Sequence, residues 1–311
     1  MRPRTIIAAL AVLALVAAAG FYALTRPVPA VIGPLPVRTA DLANGETMFH
    51  IGGCASCHAT PKQKNQTRLG GGLALTTAFG TFKVPNISPD PTHGIGSWSE
   101  EAFVNAMLRG IGRNGEPLYP AFPYTSYQRM ALDDVRDLYA YLRTLPAEAR
   151  PSEPHLLSFP FNVRRGVGLW QRLYLDGKPF TPDPARSAEL NRGAYLVEGP
   201  GHCAECHSPR DWLGGIIAAR RFAGGPNPDG KGSIPNITPH RDGLASWSAD
   251  DIAYLLKTGL TPESDSVGSS MADVVGNTGK LADGDLKAMA AYLKTLAPKP
   301  GARGQALKPG T

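Results

Sequence analysis

All four cysteines of the 311-residue chain fall in two short runs, Cys54-Ala55-Ser56-Cys57-His58 and Cys203-Ala204-Glu205-Cys206-His207. Each run reads C-x-x-C-H. Two thiols three positions apart sit on one helical turn, where each can form a thioether with a vinyl group of a haem, and the adjacent His offers its imidazole to the iron as proximal ligand. Disulfides are the default for cysteines in an exported chain, but this spacing argues against them. A four-cysteine zinc site separates its pairs by about 15 to 20 residues. Here 145 residues lie between Cys57 and Cys203, and zinc would leave both histidines without a role. A thioredoxin-like dithiol needs a βαβ context, which neither motif has. Two covalently bound haem c groups are therefore expected. Cys54, Cys57, Cys203 and Cys206 are the attachment residues, and His58 and His207 are iron ligands.

The sixth coordination position decides whether such an iron carries electrons or reacts, and methionine sulfur is the soft ligand that suits an electron carrier. Of the six methionines, Met1 is the start, Met48 precedes the first motif on its own helix, and Met107 and Met289 fall on packing faces. Met130 and Met271 remain, one per half, in the loop before the closing helix. The pair is not equivalent: Met130 lies 11 residues before Tyr141 and Met271 lies 21 before Tyr292. His93, or an open site, is the rival to Met130.

The elements that must position these residues form an internal repeat. His58 to His207 is 149 residues; Val84-Pro85-Asn86-Ile87-Ser88-Pro89 recurs as Ile234-Pro235-Asn236-Ile237-Thr238-Pro239; Ser97-Trp98-Ser99 recurs as Ser246-Trp247-Ser248. Each half should open with a helix (44–50 and 191–198) leading into C-x-x-C-H. A Gly/Pro-rich loop, a middle helix after the Trp, and a closing helix (132–145 and 283–296) should follow, the last carrying an apolar face at three and four spacing. Tyr141, Tyr292, Trp98 and Trp247 are candidates either for cofactor contact or for ordinary packing.

Residues 5–24 are twenty residues without a charge, preceded by Arg2 and Arg4. Their length favours an uncleaved membrane helix over the 7 to 15 apolar residues of a cleaved signal, although Ala17 to Gly20 leave cleavage open. The arginines should stay cytoplasmic, placing the rest in the periplasm. The length suggests about two domains, and 35 Gly with 29 Pro point to long ordered loops. The net charge of +6 sits in the termini and connector rather than in a basic stripe on either half, which argues against nucleic acid.

These residues carry a resemblance. Both haem motifs, Val84-Pro85-Asn86-Ile87-Ser88-Pro89-Asp90, Gly94-Ile95-Gly96-Ser97-Trp98-Ser99 and Leu118-Tyr119-Pro120-Ala121-Phe122-Pro123-Tyr124 make residues 41–297 resemble a dihaem class I cytochrome c. The chain is similar to the cytochrome subunits that accept electrons from bacterial membrane-bound alcohol, gluconate and related dehydrogenases. The resemblance implies thioether, proximal and distal roles for the cysteines, histidines and methionines named above. It departs at Phe122, which stands where many small cytochromes c have the ligand Met, and in having two motifs where those subunits typically hold three haems.

The expected molecule is mostly α: a membrane helix (1–26), a linker (27–40), cytochrome c domains at 41–150 and 188–297, a Pro-rich connector with one short helix (151–187), and a disordered tail (298–311). It is expected to be an inner-membrane electron carrier facing the periplasm, not an enzyme. Its donor would be a periplasmic dehydrogenase or quinol-linked donor, and its acceptor a terminal oxidase or another cytochrome. A dihaem peroxidase-like enzyme with one open haem is the alternative. Arg164, Arg165 and Arg172 of the connector are candidates for lipid, partner or propionate contact.

Overall fold

The computed structural model describes residues 3–227 and 232–301. Helix α1, Pro3–Leu24, is 22 residues long with none of them buried, a length that at about 1.5 Å per residue matches a hydrocarbon core of about 30 Å.

Two halves with the same order of parts follow. The first contains α2 (Leu42–Ile51), α3 (Cys54–His58), a hairpin of β1 (Ala74–Thr77) and β2 (Gly80–Lys83), α4 (Glu100–Arg109), α5 (Tyr124–Tyr127) and α6 (Leu132–Leu142). Next comes the connector, whose β3 (Leu156–Leu157) pairs with β2 and whose helix α7 spans Val167–Tyr174. The second half contains α8 (Ala188–Glu198), α9 (Cys203–Cys206), β4 (Gly225–Pro226), β5 (Ser233–Ile234), α10 (Ala249–Thr258), α11 (Ser270–Thr278) and α12 (Asp283–Thr295). Local chemistry sets the boundaries. Asp41, Ser99, Ser187 and Ser248 cap α2, α4, α8 and α10, and Gly110 and Gly259 end α4 and α10 in the left-handed conformation.

In each half the first and closing helices cross in contact, α2 on α6 and α8 on α12. A glycine makes both crossings possible. A Cβ on Gly45 would lie 2.3 Å from the carbonyl oxygen of Asp137, and one on Gly193 would lie 1.9 Å from that of Ala288. Tyr141 and Tyr292 lie against these same glycines and bond Glu46 and Glu198, so the structure gives both tyrosines a packing role.

Three expectations change. Residues 27–40 form a strap rather than a free linker. Asn105 Oδ1 accepts from the amides of Ala30 and Val31 at 2.7 and 3.1 Å, and Arg136 Nη2 reaches the carbonyl of Pro36 at 2.6 Å. The connector is bonded to both halves: Gln171 Nε2 donates to the carbonyls of Arg109 and Gly110, while Trp170 Nε1 and the Tyr174 hydroxyl donate to Leu213 O and Asp211 Oδ2. The tail starts later than position 298, because Lys299 bonds Asn236 and Thr238; residues 302–311 lie outside the described residues.

Candidate functional site

Both C-x-x-C-H runs fold as a single helical turn entered through a left-handed residue, Gly53 for α3 and His202 for α9. In each turn the alanine after the first cysteine, Ala55 or Ala204, is buried, while the second cysteine, Cys57 or Cys206, is exposed. The histidines are locked alike. His58 Nδ1 lies 2.8 Å from the carbonyl oxygen of Pro85, and His207 Nδ1 lies 2.8 Å from that of Pro235. Such a bond fixes the tautomer and ring orientation and leaves Nε2 as the ligating nitrogen. Burial lowers both imidazoles, His58 to about 4 and His207 in the same direction, so both are neutral as ligation requires.

A turn of backbone builds each lock. Gly71, at φ +68°, donates its amide to the carbonyl of His58 and lies so close to Pro85 that a Cβ would meet the Pro85 carbonyl oxygen at 2.6 Å. Gly224, at φ +75°, donates likewise to His207, and its Cβ would lie 2.6 Å from the oxygen of Ile234. The asparagine after each proline then ties the loop to the end of its half: Asn86 Nδ2 donates to Glu148 and Arg150, and Asn236 Nδ2 to Lys299. The repeated Pro-Asn thus has a mechanical meaning, with the proline carbonyl holding the ligand and the asparagine holding the loop.

The donor set fits haem c and not a metal ion held by the protein alone. Among the described residues no three His, Cys, Asp or Glu side chains converge on one point. Burial pushes the Cys54 and Cys203 thiols up to about 12, which suits neutral thiols that add to vinyl groups and disfavours zinc thiolates.

Comparison with known proteins bears on this geometry. The family model for cytochrome c matches residues 42–146. A dihaem cytochrome c-type protein of Cereibacter sphaeroides is 49% identical over 293 residues, 94% of this chain and 97% of that protein. The chain belongs to the cytochrome c family.

Other relatives are dehydrogenase subunits. The cytochrome c subunit of alcohol dehydrogenase (quinone) from Gluconacetobacter polyoxogenes is 38% identical over 276 residues, 86% of this chain and 58% of the relative. The gluconate 2-dehydrogenase cytochrome c subunit of Pantoea cypripedii is 35% identical over 270 residues, 84% of this chain and 60% of the relative. The chain thus spans little more than half the length of these subunits. In each dehydrogenase the match is the electron-transferring cytochrome subunit, and covalently bound haem c is the cofactor of this cytochrome.

The methionines separate. Met271, near the start of α11, is half-buried against the core, whereas Met130 is 2% exposed with protein all around it. The backbone register explains why. The bridge Ile111 to Pro117 recurs as Leu260 to Ser266, and the bond from Leu118 N to Gly110 O recurs from Val267 N to Gly259 O, which aligns Phe122 with Met271. At the closing helix the bond from Met130 N to Tyr127 O recurs from Leu281 N to Thr278 O, one residue before each helix cap, which aligns Met130 with the buried Leu281. Met130 thus has a core leucine as its counterpart in the backbone register, and its side chain is buried.

The halves of this cytochrome meet through their attachment turns. Thr125 Oγ1 and Ser126 Oγ of the first half donate to Glu205 Oε1 at 2.6 and 2.7 Å, and Arg210 completes the buried carboxylate at 2.8 Å. Reciprocally, Asn277 of the second half donates to Ser56 Oγ at 2.8 Å. Ser56 and Glu205 hold the same place in their motifs, so each half bonds the other's C-x-x-C turn. Tyr127 stacks edge-on against His202, and Cys206 adds to the burial that raises the Cys57 thiol, which places the two turns side by side. Sequence reasoning missed Glu205, Ser56, Thr125, Ser126 and Asn277, which carry no spacing signal. The paired glycines 71 and 224 could have been found from the repeat.

Proposed function

We propose that this cytochrome is a membrane-anchored, periplasm-facing electron carrier of two tandem class I domains, 41–150 and 188–297. It takes electrons one at a time from a periplasmic dehydrogenase and gives them to a terminal oxidase or another cytochrome. The observation that carries the reading is the duplicated lock, a neutral imidazole fixed by a proline carbonyl beside a C-x-x-C turn, with the two turns side by side. When bound, haem c supplies a one-electron iron couple at each site.

The chain's own residues do the rest. Pro85 and Pro235 keep His58 and His207 aimed with Nε2 free. Met271 would supply the soft distal sulfur at the second site. In the first, Phe122 holds the equivalent place in the backbone register and Met130 is buried, so the two sites would differ in what completes the iron. The bonds of Glu205 and Ser56 fix the turns relative to each other, which suits transfer between sites without rearrangement. Arg2 and Arg4 before the apolar stretch set the orientation of α1 by the positive-inside rule.

The test mixes the oxidised full-length protein with a substrate-supplied periplasmic alcohol or gluconate dehydrogenase and follows the haem spectrum. Substrate-dependent reduction by two electron equivalents is expected. A protein that stays oxidised with a panel of such dehydrogenases overturns the assignment of the donor, and uptake of only one equivalent overturns the two-site carrier.

A further inference from the structure

Helix α1 does not end in a free linker; it ends on the connector. Thr25 is fully buried, and a Cβ on Gly168 of α7 would lie 2.5 Å from the Thr25 carbonyl oxygen. Two connector arginines reach back to the last turn of α1. Arg165 donates to the carbonyl of Tyr22 at 2.9 Å with its guanidinium 3.8 Å from the centre of that ring, and Arg172 donates to the carbonyl of Leu24. Cations on the unpaired carbonyls of a helix C-terminus are favourable both as hydrogen bonds and against the helix dipole.

Beside that contact, Leu169 and Leu173 of α7, one turn apart, are exposed among the described residues, next to Arg172, which is itself exposed. The segment entering α7 exposes Phe159 at 80%, and the loop held to α7 by bonds from Trp170 and Tyr174 exposes Trp212 at 84%. Unpaired large apolar side chains mixed with arginine, next to the end of a spanning helix, are the composition of a membrane–water interface.

We propose that α7 and its flanking residues form a second membrane contact, lying in the headgroup region of the outer leaflet with Leu169 and Leu173 toward the acyl chains. The occupant is the lipid surface itself: α1 ends against α7, so a bilayer crossed by α1 reaches this face, and its phosphates complement Arg172. The inference rests on the reading of α1 as a spanning anchor. The consequence is a fixed height and tilt of the first half above the bilayer, where a flexible tether would let it tumble.

The test uses full-length holoprotein in phosphatidylethanolamine and phosphatidylglycerol vesicles. Its native cysteines are consumed in thioethers, so single Cys substitutions accept a nitroxide label selectively. Labels at Leu169→Cys and Leu173→Cys are compared with Leu13→Cys in α1 and with Glu263→Cys in an exposed loop of the second half. Collision with oxygen exceeding collision with a water-soluble nickel chelate at 169 and 173, as at 13 and opposite to 263, is expected. Nickel-accessible labels at 169 and 173, with 13 still in lipid, overturn the second contact and leave the anchor intact. A nickel-accessible label at 13 overturns the anchor and this proposal with it.

Discussion

At the residue scale the site is a set of short-range constraints, and the proposal that Met271 ligates while Met130 packs is tested on the two methionines. Met271→Ala removes the sulfur proposed as distal ligand of the second site. One of the two haems is expected to lose its low-spin signature, seen by low-temperature EPR of the oxidised protein. Met130→Leu installs the side chain that Leu281 already has in the equivalent place, a near volume-conserving core change that costs under about 1.5 kcal/mol. Both haem spectra are expected to survive it. A spectrum altered by Met130→Leu instead would return Met130 to the iron. Spacing within five residues made the attachment legible in the sequence. Elimination among six methionines left Met130 and Met271 as distal candidates, because it weighs positions in the chain and not burial in the fold.

At the element scale the halves are stabilised by straps as much as by helix faces. Asp137 on α6 accepts from Arg38 Nη1 at 2.5 Å, from the Asp41 amide at 2.9 Å and from Asn44 Nδ2 at 2.9 Å, joining the strap and α2 to the closing helix. Burial pushes this carboxyl up, but the bonds from Arg38, Asn44 and Asp41 outweigh it and hold it below its ordinary 3.8. A carboxyl depressed in the folded state contributes stability above its unfolded value and loses it as the pH falls through the folded one. Asp137→Asn is therefore expected to cost about 2 kcal/mol at pH 7, as for hydrogen bonds to a charged group. The gap from the parent should begin to close as the pH falls below the unfolded value of about 3.9 and go on closing through the lower folded value, where the parent's carboxylate takes up its proton. Urea unfolding followed by circular dichroism across pH 3 to 7 measures it, and a gap independent of pH would assign the cost to shape alone. The sequence showed the helices through capping residues and apolar spacing. It did not show the strap, whose residues 27 to 40 read as a linker until Asn105, Arg136 and Asp137 are placed beside them.

At the scale of the whole molecule the reciprocal clasp makes one body of two repeats. Glu205 is a buried carboxylate whose protein donors are Thr125, Ser126 and Arg210, and on the other side of the clasp Asn277 bonds Ser56. Removing donors from a buried anion is costly, about 1 to 3 kcal/mol per unsatisfied group. The triple variant Thr125→Val, Ser126→Ala, Asn277→Ala is expected to split a single cooperative thermal transition into two, read by circular dichroism with the haem band as a second probe. A transition that remains single and coincident in both probes would mean that other contacts couple the halves.

The sequence by itself determined the cofactor, the duplication and the apolar first helix, because covalent attachment, repeated motifs and a bilayer-length run are each written in contiguous residues. Only the tertiary structure decided that the strap packs on the first half, that the connector is bonded to both halves, and that each attachment turn is bonded by the other half. These depend on groups 43 to more than 200 positions apart, such as Trp170 with Leu213 and Ser56 with Asn277. Burial and hydrogen-bond satisfaction choose such partners, and no local pattern records them.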